Sequence, residues 1–187
     1  MNRIAIFGGV MVALSGLVVL LIITMSTVDK KEAVAAPICI GDGPAECLPD
    51  FALADVNEEI YPPAALEGKV VLINFWASWC KPCLAEIPAL SAIYDKYKDQ
   101  GLLMVGIEKD WSSKELSKRF AQNYKMSFPI VHGTDDVYME FQYPSALPTT
   151  LIYDRGGNLK VNHRGPLSEA QLERHLAELL KEKPPGA

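Results

Sequence analysis

The sequence predicts an α/β domain, helices packed on a central sheet, carried behind an N-terminal membrane segment. Three observations predict it. Short, nearly continuous apolar runs alternate with amphipathic stretches from Asp50 onward, the pattern of a sheet covered by helices. A 22-residue uncharged stretch, Ile4 to Met25, precedes them. The length, 187 residues, allows one α/β domain plus an appendage and is too short for two full-sized domains. Hydrophobic residues at 49% and charged residues at 22% are ordinary for a chain that buries a core. The net charge is −5, and Arg3 is the only charged side chain before Asp29, so the remainder is more acidic still. That balance offers no basic face to a phosphate backbone and excludes nucleic acid as a partner.

In chain order, Ile4 to Met25 would form a helix of roughly 33 Å, enough for a hydrocarbon core of about 30 Å. Residues 1–28 therefore read as a transmembrane signal-anchor. The Ala33-Val34-Ala35 tripeptide has the small-residue form of a cleavage site, but the charged run Asp29 to Glu32 separates it from an apolar stretch too long for a cleaved leader. No lipid-attachment pattern precedes Cys39. Residues 29–47 read as a tether followed by a turn-rich loop, Cys39 to Cys47. Four cysteines suit an exported, oxidising location, which places the globular part outside the cytoplasmic membrane. A Cys39–Cys47 disulfide closing about nine residues would contribute roughly 2 to 3 kcal/mol as a structural staple. A relay redox pair or a metal-binding thiol pair remain the alternatives for these two residues.

Residues 48–182 carry the domain. Val70 to Phe75 and Leu102 to Ile107 read as strands buried on both faces. Thr149 to Tyr153 and Leu159 to His163 flank Asp154-Arg-Gly-Gly-Asn158 and read as a hairpin, giving four core strands. A helix over 80–99 places Leu84, Ile87, Leu90, Tyr94 and Tyr97 on one stripe, with Pro88 as an expected kink. Ser112 and Glu115 form a capping box for a helix running to about Tyr124. Ser168 and Gln171 cap the last helix, whose buried face is Leu172, Leu176, Leu179 and Leu180. Residues 183–187 form a loose tail.

The chemistry concentrates in Trp79-Cys80-Lys81-Pro82-Cys83, directly after a buried strand and at the start of an amphipathic helix. Two thiols at this spacing can close a disulfide, and the positive helix end together with Lys81 stabilises a Cys80 thiolate. Cys80 is the expected attacking nucleophile and Cys83 the resolving thiol. A zinc site would need two more ligands, and His132, His163 and His175 supply no matching pattern. Trp76 reads as core, Trp79 as a wall of the substrate groove, and His132 and His163 as incidental.

The segment Asn74-Phe-Trp-Ala-Ser-Trp-Cys-Lys-Pro-Cys83 resembles the active-site strand and turn of thioredoxin-fold proteins. Cys83-Leu-Ala-Glu86-Ile-Pro88 and Leu147-Pro148-Thr149-Thr150 narrow the likeness to the membrane-anchored TlpA/ResA-like thiol–disulfide oxidoreductases, over residues 48 to 181. The resemblance implies a thioredoxin-like fold with a central mixed sheet. It implies that Pro148 is cis and faces the cysteine pair, with the Leu147 backbone ready to pair with an extended substrate. Without the resemblance, Pro148 is equally a loop proline before a strand. Trp79, Lys81, Pro82 and Leu147 are the expected substrate contacts. Where thioredoxin has a buried aspartate this chain has Asn74, an amide that cannot act as the base. The resemblance gives that role to Glu86, three residues after Cys83, whose charge would also raise the thiol pKa values; the residues alone leave Glu86 as a solvated position on the helix.

The resemblance further implies protein thiols and disulfides as substrates, apocytochrome c among them, and a membrane electron donor of the CcdA/DsbD type. No cofactor is called for beyond the Cys80–Cys83 disulfide. A disulfide-donating oxidant and a copper-binding chaperone are the competing functions. Soft Cu(I) favours two thiolates, but related copper proteins use a wider spacing with a distal histidine. A thiol peroxidase of the peroxiredoxin kind would place a threonine where this chain has Ala77.

Overall fold

The computed structural model describes residues 46–49, 52–109 and 113–184. The anchor over 1–28, the tether, Cys39, Trp111 and Ser112 lie outside the described residues. No described helix is long and apolar enough to cross a membrane.

The elements run β1 (Leu53–Ala54), β2 (Ile60–Tyr61), α1 (Pro63–Leu66), β3 (Val70–Trp76), α2 (Lys81–Tyr97), β4 (Leu102–Glu108), α3 (Lys114–Asn123), β5 (Ile130–His132), α4 (Asp135–Glu140), β6 (Thr149–Tyr153), β7 (Leu159–Arg164) and α5 (Glu169–Lys181). β1 and β2 form a small antiparallel ribbon. The main sheet has the order β5-β4-β3-β6-β7, with β3, β4 and β5 parallel and β6 and β7 added antiparallel. The expected mixed sheet is present, but it holds five strands where four were expected. β5 is the addition: three residues long, it carries too little pattern to read as a strand.

β3 and β4 are buried along their whole length, as their unbroken apolar runs require. Because side chains alternate, β3 serves two cores. Val71, Ile73 and Phe75 pack with Leu103, Val105, Ile107, Tyr138 and Phe141 on one face. Val70 and Leu72 pack with Leu90 and Ile93 of α2 and with Leu172, Leu176 and Leu179 of α5 on the other. Asn74 and Trp76 share that second parity, so both side chains leave the sheet on the α2 side.

The helix boundaries follow their caps. α5 opens on the expected Ser168–Gln171 capping box. α3 is capped by Ser113, whose hydroxyl accepts from the Leu116 N–H, one residue beyond the Ser112 expected. Either serine fits the local pattern, and the register of the Ser117 side chain against Glu108 goes with the later one. α2 contains Pro88 without interruption and passes into a 3-10 turn over Lys98–Gln100, ending at Gly101 with φ 95°. The β6–β7 hairpin turns at Asp154, whose Oδ1 accepts from Gly156 N–H and Asn158 N–H, while Gly157 takes the positive φ the turn requires. Arg155 reaches from this hairpin to the carbonyls of Gly68, Gln100 and Leu180, tying the approaches to β3 and β4 to the end of α5.

Candidate active site

Parallel strands deliver their following loops to one end of the sheet, and ligands in such sheets gather there. β3 ends at Trp76, and the chain turns through Ala77 and Ser78 into Trp79 and Cys80 before α2 begins. Cys80 is the N-cap of α2: its N–H donates to Ala77 O, and its Sγ accepts from the Cys83 N–H at 3.3 Å. Cys80 and Cys83 are joined as a disulfide with Cα atoms 5.2 Å apart. The sulfur at the N-cap faces an amide that belongs to the unsatisfied positive end of the helix, so reduction leaves a Cys80 thiolate with a donor already in place. Cys80 retains 5% exposure and Cys83 none.

Trp79 is 66% exposed, and Trp76 is buried against the Phe120 ring, as the sequence separates them. Trp79, Cys80, Lys81, Pro82 and Leu147 line one groove of about 410 Å³, together with Lys109 and the segment Pro144–Ala146. Every substrate contact expected from the sequence is therefore on this groove. Lys109 and Pro144–Ala146 were not anticipated, because they reach the cysteines only through the fold. The position of Lys109 directly after β4, at the sheet end where sites gather, was the available signal. The Leu147–Pro148 peptide is cis, and Pro148, expected to face the cysteine pair, is buried and is not among the residues that line the groove; its carbonyl accepts from the Gly165 N–H.

Glu86 is 3% exposed, so the solvated alternative is overturned. It lies three residues after Cys83, on the same side of α2. Its Oε1 accepts from Asn74 Nδ2 at 2.8 Å, and its Oε2 accepts from the Leu167 N–H at 3.0 Å. Burial pushes the Glu86 carboxyl up to about 7, against the opposing pull of the Leu167 and Asn74 hydrogen bonds. A carboxyl poised there can take a proton at neutral pH. Asn74, rejected as a base, holds the Glu86 carboxyl instead: it also donates to Thr150 Oγ1 at 3.1 Å, which fixes its amide between β6 and α2. That role follows from its strand parity and could have been read from the β3 alternation.

His163 sits on the edge strand β7, and His132 lies at the end of β5. Glu58 and Glu59 lie in the turn between β1 and β2, Glu58 with φ 69°. Cys47 bridges to Asn158 in the backbone. Its expected disulfide to Cys39 falls outside the described residues. Among the described residues no cluster of His, Cys, Asp and Glu has the form of a metal site.

Residues 44–162 match the AhpC/TSA family. A thiol-disulfide oxidoreductase ResA of Geobacillus kaustophilus is 34% identical over 128 residues, covering 68% of this chain and 73% of the relative. The thioredoxin-like protein YneN of Bacillus subtilis is 31% identical over 151 residues, covering 80% and 84%. Among solved structures, a thiol:disulfide interchange protein of the thioredoxin family from Chlorobium tepidum superposes with a TM-score of 0.67 at 26% identity, covering 75% of this chain and 99% of that one.

Proposed function

The chain belongs to the AhpC/TSA family, as a thiol–disulfide oxidoreductase of the ResA type, and from that premise we propose that it works as a dithiol reductase of protein disulfides outside the cytoplasmic membrane. The observation that carries the direction of electron flow is the buried Glu86 beside the cysteine pair. Stabilising the Cys80 thiolate would stabilise the reduced form and make an oxidant. A carboxylate next to the pair opposes that, raising the thiol pKa values and favouring delivery of electrons.

In the reduced enzyme the Cys80 thiolate attacks one sulfur of a substrate disulfide held in the groove. A Cys80–substrate disulfide forms, and the other substrate sulfur leaves as a thiolate that takes a proton from water. Cys83 then gives its proton to Glu86, and its thiolate attacks Cys80 Sγ. The intramolecular disulfide closes, and the second substrate sulfur is released and protonated. The substrate has gained two electrons from the Cys80–Cys83 pair and two protons, one from water and one that began on Cys83 and is returned through Glu86. A membrane electron carrier of the CcdA/DsbD type returns the pair to the dithiol state, and residues 1–28 keep the domain beside it as a single-pass anchor. Apocytochrome c, whose cysteines must be reduced for haem attachment, is the substrate this reading favours.

Trapping tests the assignment. Cys83→Ser accumulates mixed disulfides through Cys80, and Cys80→Ser does not. Equal trapping by the two variants contradicts this division of roles, and the captured proteins name the substrate.

A further inference from the structure

Thr150 is fully buried on β6, on the face of the sheet that Val70, Leu72, Met104 and Ile152 make apolar beneath α2 and α5. A hydroxyl in such a layer costs free energy unless it is bonded, and valine would fill the same volume without that cost. The β3–β6 register sets Thr150 directly opposite Asn74, so the two side chains stand together on one face. Asn74 Nδ2 carries two hydrogens and has two acceptors, Glu86 Oε1 at 2.8 Å and Thr150 Oγ1 at 3.1 Å.

We propose that Thr150 is a positioning residue for the reaction: its oxygen holds the Asn74 amide in the orientation that donates to Glu86, and so keeps that carboxylate available for the Cys83 proton. The link to the reaction rests on the oxidoreductase reading above; the orientation of the amide rests on the hydrogen bonds themselves. An amide can meet a carboxyl in two ways. With Nδ2 forward it donates and favours the carboxylate; with Oδ1 forward it accepts and favours the protonated acid, the only form with a proton to give. With the Thr150 oxygen in place, Nδ2 serves both acceptors at once. Without it, the second N–H faces apolar side chains, and turning the amide over relieves that cost.

The other groups around Glu86 leave this choice to the amide. Leu167, in the loop before α5, gives its N–H to Oε2, the other carboxyl oxygen. α5 packs Leu172 and Leu176 on this side, and its Glu173 pairs with Lys96 of α2 at the surface. Cys83 lies one turn earlier on α2, and His163 of β7 stands beside Thr150 as its register partner. Burial raises the Glu86 carboxyl and the Leu167 and Asn74 hydrogen bonds lower it, with no charged side chain contributing among the described residues.

The test follows the Glu86 carboxyl by carbon-13 NMR in the oxidised full chain, its signal identified by its loss in Glu86→Gln. The cysteines do not titrate in that form, and the signal reads Glu86 itself, not His163. Thr150→Val moves the midpoint up from about 7 by about one unit, the worth of one hydrogen bond to a charged group. Thr150→Ala, which adds no bulk, gives the same shift, and Thr150→Ser, which keeps the oxygen, leaves the midpoint at the wild-type value. In an Asn74→Leu background Thr150→Val causes no further shift, because Thr150 acts through the amide. Release of a Cys80 mixed disulfide by Cys83 then ties the shift to the reaction: Thr150→Val is about fivefold slower at pH 7, and the deficit closes as pH rises past the new midpoint, which a general loosening of structure would not do. The role of Thr150 is overturned if the Thr150→Val midpoint does not rise, if Thr150→Ser raises it equally, or if the shift persists without the Asn74 amide. A raised midpoint with an unchanged release profile overturns the link to the reaction, and a wild-type mixed disulfide that Cys83 never releases overturns the oxidoreductase reading itself.

Discussion

Replacing Glu86 by glutamine separates the charge of this residue from its shape. Glutamine can still accept from the Leu167 N–H, and a turned Asn74 amide can accept from its Nε2, so the buried connections persist while titration ends. In the native state the carboxyl titrates near 7 against an ordinary value of 4.5. At about 1.4 kcal/mol per pH unit, holding Glu86 ionised costs up to about 3 kcal/mol. The sign follows from proton counting. Between pH 4.5 and 7 the folded chain keeps a proton that the unfolded chain has released, so wild-type stability falls as pH rises through that window. The contribution is complete below pH 4.5 and lost above 7. Urea unfolding of the oxidised proteins at pH 5, 6, 7 and 8 reads it directly, because the cysteines do not titrate in that form. The stability of Glu86→Gln relative to wild type should climb by about 2 to 3 kcal/mol across the series. The same substitution should slow release of a Cys80 mixed disulfide at pH 7 by about 100-fold, the lower range for loss of a general base, and remove the inflection near pH 7 from that rate. A stability difference flat with pH, with an unchanged rate profile, would refute the assignment of Glu86 as the titrating base.

Further consequences come from its neighbours and from the far end of the sheet. Asn74→Leu removes a donor that lowers the Glu86 pKa, so the inflection in the release rate moves above 7; a downward move contradicts the role of Asn74 as the group that holds the base. Arg155→Ala strips the Gly68, Gln100 and Leu180 carbonyls of one shared guanidinium and should lower unfolding stability by about 2 kcal/mol. Its disulfide-reduction rate stays at the wild-type value, since these contacts lie at the opposite end of β3 from Cys80; a rate loss at unchanged stability would count against that separation.

Legibility in the sequence tracked the length over which a pattern repeats. β3 and β4 each present seven consecutive residues buried on both faces, and α5 repeats its leucines every three or four positions, so each is evident from local spacing. β5, with three residues, is held by its pairing with β4, 24 residues away, and α4, with six, by Tyr138 and Phe141 packing on Phe75 of β3, more than 60 residues away, contacts that no local window contains. The helix cap moved by one residue because Ser112 and Ser113 are equivalent in composition. At the site, the cysteines, Trp79 and Leu147 were visible because their chemistry is carried by adjacent residues. The seating of Glu86 was not, since burial depends on Leu167 closing over it from a loop 81 positions away. Lys109 reaches the groove through the fold as well, and only its place directly after β4 signalled it.

The measurement that bears most directly on the central claim is the equilibrium reduction potential of the Cys80–Cys83 pair, titrated in defined thiol buffers and read by alkylation of each cysteine. A reductase whose thiol pair is held beside a buried carboxylate should give a value near or below about −250 mV, in the range of thioredoxin. A value near about −120 mV would make the protein a disulfide donor and contradict the proposed direction of electron flow.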